Sequence, residues 1–318
     1  MTQVKQPLPT ISAIVVTFYS GPALKECLHA LCAEDGITEI IVVNNGNTDK
    51  DLDWLRNFKK KSGRRRYELI TGHGNIGFGA GVNMGARAAE CDRLLIINPD
   101  AVLRYGSLPK LEAARNAGAE PCLVGGKLYY ASGKEQRGGR RELLTLPRAI
   151  TTFTGLSRLE KIIPLRVFRD LHRENDPEPS GPVPMPVVSG ALCYISAHDF
   201  WTVDGFDEGY FLHVEDIDLC RRIAIAGGQV IYTPHGGALH YGSTSAVSAN
   251  FVEWHKAKGL SRYFRIYSAS PLETFFAGAS LYAFAFVLIG RSTVIRAFNQ
   301  LRGSLSRRFR KRSRAKQS

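Results

Sequence analysis

The chemistry-bearing residues of this 318-residue chain gather in one run, Phe206-Asp207-Glu208-Gly209-Tyr210-Phe211-Leu212-His213-Val214-Glu215-Asp216-Ile217-Asp218-Leu219-Cys220-Arg221-Arg222. Asp207, Glu208, Glu215 and Asp216 are followed by a fifth acid, Asp218, in a chain of formal net charge +13. Acids crowded ahead of the helical run Ile217–Ala226 repel one another unless a cation, a proton or a helix N-terminus offsets them. The run is therefore a candidate site, the alternative being a capping box on a surface turn. Two further groups stand apart from it. Asp100 ends an apolar run in the turn Asn98-Pro99-Asp100, where a carboxylate beside a diphosphate could hold Mg2+ or Mn2+ through oxygen. His240, in Ala238-Leu239-His240-Tyr241, could be a second metal ligand or a phosphate contact.

The elements that must position these groups follow from the apolar patterning. Ile11–Thr17, Glu39–Asn44, Tyr67–Thr71, Arg93–Ile97 and Cys122–Leu128 read as buried strands, with helices between them. Strand, helix and strand within the first 45 residues predict a βαβ unit and a parallel sheet. Val187–Ile195 and Gln229–Tyr232 read as two more strands. Ala131–Pro186 is rich in Gly, Arg and Pro and is expected to be a long loop or partly helical insertion. Ligands of open parallel sheets sit beyond the carboxyl ends of the strands. Three polar turns fall there: Thr17-Phe18-Tyr19-Ser20, Asn44–Asp49 and Asn98–Asp100. Asn75-Ile76-Gly77-Phe78-Gly79-Ala80-Gly81-Val82-Asn83-Met84-Gly85 adds glycines that let backbone N–H groups approach a phosphate or ribose. It follows the third strand rather than the first, which disfavours a dehydrogenase, and no G-x-x-x-x-G-K-[ST] is present.

The positive charge is mostly a property of the end of the chain. Residues 291–318 carry ten Arg/Lys and no acid. Just before them, Thr274–Gly290 has seventeen residues without a charge, at the short limit for a transmembrane helix. Ser292–Phe309 repeats apolar residues at helical spacing with Arg opposite, which suits a helix lying on an anionic membrane surface. The six scattered cysteines read as reduced, mostly buried thiols. Met1–Thr10 lacks an apolar signal core, so secretion is not expected. A basic nucleic-acid-binding protein is poorly supported, because the charge lacks interleaved stacking aromatics. A sugar-phosphate nucleotidyltransferase usually has a G-x-G-x-R loop after the first strand, which Thr17–Gly21 lacks.

Taken in order, these stretches resemble the family-2 inverting glycosyltransferases of GT-A fold, in a bacterial rhamnosyltransferase-like branch. The matching runs are Ile14–Tyr19, Ile41–Asp49, Asn75–Gly85, Leu95–Ala101, Gly190-Ala191, Gly205–Glu208, Phe211–Arg222 and His240. The resemblance covers about Ile11–Ser245. It implies a mostly parallel Rossmann-like sheet flanked by helices in residues 1–247, with 131–186 inserted. The apolar and basic patterning beyond it predicts a C-terminal membrane-associating helical region in 248–318. It implies that Thr17, Phe18, Tyr19, Asn44 and Asp49 line the nucleoside pocket, with Asn44 where the family often has Asp. Asn75, Gly77, Phe78 and Asn83 are expected to hold the nucleotide sugar. Asn98 stands at the first position of the family's D-x-D motif, which makes Asp100 the surer metal ligand, with His240 nearby and Mg2+ or Mn2+ as the cofactor. Asp216 matches the catalytic base, with Glu215 beside it and Asp207 and Glu208 toward the acceptor. The implied reaction is transfer of a sugar, best matched by L-rhamnose from dTDP-rhamnose, to a lipid-linked or saccharide acceptor. The implied location is the cytoplasmic face of the bacterial inner membrane.

Overall fold

A computed structural model describes residues 9–157, 170–242 and 247–268, together with 270–272, 274–275, 277–278, 282–290 and 293. The chain forms two compact units, Met1–Ala246 and Val247–Ser318.

The first unit opens with the expected alternation. β1 (Ile11–Phe18) is an apolar, β-branched run buried along nearly its whole length, and α1 (Ala23–Ala33) follows, its buried face joining the same core cluster. β2 (Ile37–Gly46), α2 (Asp49–Phe58), β3 (Arg66–Ile70), α3 (Phe78–Ala88) and β4 (Arg93–Ile97) follow, then β5 (Ala101–Leu103), α4 (Leu108–Asn116) and β6 (Cys122–Tyr129). The segment read as a loop or insertion contains β7 (Arg140–Arg141), α5 (Leu146–Thr154) and β8 (Val183–Pro184). β9 (Val187–Val188), β10 (Leu192–Ser196), α6 (Ala197–Thr202), α7 (Glu215–Ile225) and β11 (Gln229–His240) complete the unit.

Among the described residues, eight strands run in the order β3-β2-β1-β4-β10-β6-β11-β5, with β8 added on β11. β1 pairs in parallel with β2 and β4, β2 with β3, and β6 with β11. β10 runs antiparallel between β4 and β6, and β5 and β8 run antiparallel to β11. The sheet is thus mixed rather than mostly parallel. The physical reason is β10, which enters between β4 and β6 from the opposite direction. The expected strand Val187–Ile195 is also divided. Ser189-Gly190-Ala191 leaves the ladder because its backbone is bonded elsewhere: Ala191 O accepts from Asn98 N at 3.0 Å, and Gly190 N donates to Asp216 Oδ2 at 3.0 Å. One sheet face is filled by Ile11, Val15, Leu28, Ile40, Leu55, Leu95 and Tyr194, all with no exposed surface. Burial of such side chains stabilises by about 1.5–3 kcal/mol each.

In the second unit, α8 (Ala249–Ile266) is capped by Ser248, whose side chain accepts from Phe251 N at 3.2 Å. Phe264 stacks on Phe284, with ring centroids 6.0 Å apart, and Ser261 donates to Ala277 O at 2.9 Å. Phe284, Ala285 and Leu288 are buried, whereas Leu272, Phe275, Tyr282 and Phe286 are exposed. Among the described residues, no helix is long and apolar enough to cross a membrane. The expected surface helix Ser292–Phe309 and the basic tail lie outside the described residues, Thr293 excepted.

Candidate active site

Each predicted turn lies at the carboxyl end of its strand. The turns after β1 and β2 are laced together. Asn47 Nδ2 donates to Asn44 Oδ1 at 2.7 Å and to Thr17 Oγ1 at 3.2 Å, and Thr17 Oγ1 lies 2.9 Å from Ser20 Oγ. Asn44 Nδ2 donates to Thr71 Oγ1 at 3.1 Å. The network holds Tyr19 at φ +46°, a left-handed conformation that costs a non-glycine residue about 1 kcal/mol or more. Its ring stays exposed, edge-on to Phe18 at 4.8 Å. Asp49 lies exposed in the first turn of α2.

The glycine-rich stretch works chiefly by close approach. Gly77 has φ +90°, and a Cβ there would lie 2.5 Å from the Phe211 carbonyl oxygen. At the same junction Phe78 N donates to Phe211 O at 3.0 Å. Asn75 Oδ1 accepts from Gly77 N at 3.1 Å and shapes the entry to α3. Asn83 is buried, and both its amide protons are used within the protein, toward Phe206 O at 2.8 Å and Glu208 Oε1 at 3.0 Å. Glu208 also pairs with Arg87 at 3.0 Å, and these two partners hold its carboxyl below its ordinary range. Asp207 Oδ1 accepts from Gly209 N at 2.8 Å and forms a local turn. α3 and the acidic run are therefore docked on each other, which sets where α7 begins.

At the start of α7 the acids divide. Asp218 is fully buried and accepts from Tyr210 Oη at 3.3 Å and Arg222 Nε at 2.7 Å, a packing role. Asp216 Oδ2 accepts from Arg141 Nη2 at 2.5 Å and Gly190 N at 3.0 Å, and Oδ1 accepts from Ile217 N at 2.8 Å. Burial alone would raise the Asp216 carboxyl, but the Arg141 guanidinium and the Gly190 amide outweigh it and hold it below its ordinary value. Glu215 goes the other way. Burial and the neighbouring Asp216 charge push it up to about 8, and its Oε2 has no hydrogen-bond partner.

Asp100 and His240 meet at the far end of the β5–β11 ladder, His240 Nε2 lying 3.1 Å from Asp100 Oδ1. Gln136 fixes the imidazole. Its Nε2 donates to the His240 carbonyl at 3.4 Å, which turns its Oε1 toward His240 Nδ1 at 2.5 Å. With Nδ1 donating to that oxygen, a neutral ring would turn its Nε2 lone pair toward a carboxylate oxygen. Two acceptors so placed need a proton or a cation between them. The Asn98 amide approaches the same nitrogen at 3.5 Å. No group of three or more His, Cys, Asp or Glu among the described residues could hold a metal. The donor set nevertheless fits Mg2+ or Mn2+, which take one or two protein ligands and complete their shell with water and substrate phosphate. Gln136 is the outer partner that a ligating histidine needs.

Sequence reasoning missed Gln136 and Arg141. Both lie in the segment 131–186, and their partners are 104 and 75 residues away. The signal present was Gly138-Gly139-Arg140-Arg141, an arginine pair behind two glycines. The cysteines are free among the described residues, four of the six being buried.

The model described as "Glycosyl transferase family 2" matches residues 12–171, half of the chain. The chain belongs to glycosyltransferase family 2. Among curated relatives, it is 28% identical over 263 residues to the rhamnosyltransferase WbbL of Escherichia coli K12, covering 79% of this chain and 90% of that one. It is 25% identical over 246 residues to an N-acetylglucosaminyl-diphospho-decaprenol L-rhamnosyltransferase of Mycobacterium tuberculosis, covering 73% and 76%. This family-2 chain is thus rhamnosyltransferase-like and a hexosyltransferase. Solved structures give the fold as GT-A-like. GalNAc-T7 with UDP, GalNAc and Mn2+ aligns at TM-score 0.57 and 13% identity over 92% of this chain, which spans 58% of that longer one. The mannosyltransferase PcManGT of Pyrobaculum calidifontis, in complex with GDP-Man and Mn2+, aligns at 0.53 and 15% identity over 95% and 81%.

Proposed function

We propose that the protein transfers L-rhamnose from dTDP-L-rhamnose to an N-acetylglucosaminyl-diphospho-polyprenol, with inversion, at the cytoplasmic face of the bacterial inner membrane. The observation that carries the reading is Asp216, a carboxylate kept ionised at the start of α7 and bonded to Gly190 N at 3.0 Å. The neighbouring Ala191 receives the Asn98 amide of the Asn98-Pro99-Asp100 turn. In the proposed reaction Asp216 takes the acceptor hydroxyl proton as that oxygen bonds the anomeric carbon. The bond from that carbon to the diphosphate oxygen breaks, and the nucleoside diphosphate leaves with the electron pair. One displacement inverts the centre. Thr17, Phe18, Tyr19 and Asn44 receive the nucleoside, and the loop Asn75–Phe78 faces the sugar diphosphate. Asp100 and His240 hold a divalent cation, with Asn98 beside them; when bound it neutralises charge on the leaving diphosphate. The two curated rhamnosyltransferases support the sugar, and the polyprenyl-linked one supports the acceptor.

The division of labour we assign is a transferase domain over 1–247 and a membrane-associating region over 248–318. Exposed Phe275, Tyr282 and Phe286 support it, together with the basic residues after Gly290. Deleting 274–318 should release the protein from anionic vesicles, and undiminished co-sedimentation would refute that role. The reaction itself is tested with a panel of nucleotide sugars and Mn2+, followed by Asp216→Asn. One amide oxygen of Asn can still accept from Arg141 and Gly190. Donor binding should therefore persist, while transfer falls by about 10²–10⁴-fold. Wild-type transfer by that variant would overturn the assignment of the base.

A further inference from the structure

Arg141 comes from the segment 131–186 rather than from α7, and it is the cation that meets the Asp216 carboxylate. Its Nη2 donates to Asp216 Oδ2 at 2.5 Å and to Val188 O at 2.9 Å. The guanidinium is thereby fixed to the β9 backbone on one side and to the carboxylate on the other. The chain presenting it is held in turn. Arg140 and Glu135 form a buried two-pronged pair, both contacts at 2.8 Å, and the Arg140 guanidinium lies over the Tyr232 ring at 5.2 Å. β7 pairs with β9, setting Arg140 opposite Val188 and Arg141 opposite Val187. A two-pronged arginine–carboxylate pair is directional as well as strong. Arg141 is therefore positioned by backbone pairing and by a neighbouring ion pair, neither of which involves a substrate.

We infer that Arg141 is the positioning residue of the transfer reaction: it orients the Asp216 carboxylate for the acceptor hydroxyl and holds it charged, and the Glu135–Arg140 clamp holds Arg141. The inference rests on Asp216 being the base. Six other groups act on that carboxylate. Gly190 N, Ile217 N and His213 favour its charge, whereas Glu215 (same helix), Cys220 (same helix) and Cys193 (β10) oppose it. Of these, Arg141 alone is a permanent cation. Without it, burial and Glu215 dominate, and the carboxylate takes up a proton at higher pH.

The test is the pH profile of transfer from dTDP-L-rhamnose to N-acetylglucosaminyl-diphospho-polyprenol by the full chain carrying Arg141→Lys or Arg141→Met. Both proteins are first checked for the wild-type circular dichroism spectrum. Arg141→Met should move the acid limb of kcat upward by roughly 1–3 pH units, the size of a lost neighbouring charge, with donor KM changed less than kcat. Arg141→Lys keeps the charge without the guanidinium nitrogen that bridges Asp216 and Val188 O, so the limb stays nearer its wild-type position while kcat still falls. If Arg141→Met fails to fold, the Lys variant decides alone: wild-type kcat and an unmoved limb overturn the inference. So does an unmoved limb in a folded Met variant. Asp216→Asn separates the two ideas. If it transfers normally, the base assignment fails; if it is inactive while both Arg141 variants keep the wild-type profile, only the role of Arg141 fails.

Discussion

Gly77 joins the glycine-rich stretch to the acidic run, and replacing it tests whether that junction sets the site. Its φ is +90°, and an added Cβ would stand 2.5 Å from Phe211 O and 3.0 Å from Phe211 Cα. Both are backbone atoms, so no side-chain rotation relieves the overlap. The two chains must separate by roughly 0.8 Å to reach an ordinary C···O contact near 3.3 Å. That movement breaks the 3.0 Å bond from Phe78 N to Phe211 O, worth about 0.5–1.5 kcal/mol. At φ +90° and ψ 172° the backbone lies where almost only glycine is found, which costs alanine about 1–3 kcal/mol more. The sum is about 1.5–4.5 kcal/mol, or a fall in Tm of about 3–18 °C for a unit of this size. Gly74 is the control: φ +72° with nothing within 4 Å of an added Cβ, so Gly74→Ala should lose only the backbone part. Phe211 is five residues before Asp216, and a displacement near 1 Å at a reacting group can lower the rate about 10²-fold. Scanning calorimetry and transfer kinetics on Gly77→Ala and Gly74→Ala provide the measurement. Equal melting shifts with near-wild-type transfer by Gly77→Ala would refute the reasoning.

Two other perturbations separate the ends of the site. Gln136→Leu removes the acceptor that fixes the His240 tautomer, so Mn2+ affinity, read by electron paramagnetic resonance of free Mn2+, should fall by about 10–100-fold; unchanged affinity would remove His240 from the metal pole. Glu215 is raised from 4.5 to about 8, so its contribution to stability is fully present below pH 4.5 and is lost as pH rises toward 8. Glu215→Gln cannot ionise. Denaturant titrations should show its stability advantage over the wild type growing by a few kcal/mol across that window, and a constant difference would contradict the burial argument.

The framework was legible because β-branched runs and polar turns follow from backbone rules that act locally. β1, β2 and β4 are such runs, and Thr17, Asn44 and Asp100 sit where strand ends put them. The acids of 207–218 were visible as a cluster, but their separate roles were not. What distinguishes Asp218 from Asp216 is the company each keeps, Tyr210 and Arg222 for one, Arg141 and Gly190 for the other. Arg141 and Gln136 could not be read at all. An arginine in a Gly-rich, Pro-rich stretch looks like a solvated loop residue until β7 pairs with β9. Asn83 could not be placed from the pattern either: within the glycine-rich stretch Asn75–Gly85 its side chain is buried and tied to Phe206 and Glu208. Antiparallel β10 was hidden for a similar reason, since a buried strand reads the same in either direction.

The division of the two acids beside each other has a physical cause. Two carboxylates at one helix start cannot both stay charged in a buried site, so any asymmetry decides which one ionises. Here the asymmetry is three directed donors. Asp216 receives Arg141, Gly190 N and Ile217 N, whereas Glu215 Oε2 is buried with none. Val214, left-handed at φ +76° immediately before the pair, is strained for a β-branched residue by about 1–3 kcal/mol. That conformation starts α7 where it does, turning Asp216 toward Gly190 while Glu215 packs near Gly79. The packing explains the glycine, since a Cβ at residue 79 would already lie 3.0 Å from Phe206 Cβ and 3.8 Å from Glu215 Cβ. The glycine-rich stretch and the acidic run therefore meet at Gly79, which leaves room for Phe206 with Glu215 in ordinary contact beside it, and a neutral Glu215 lets Asp216 keep its charge.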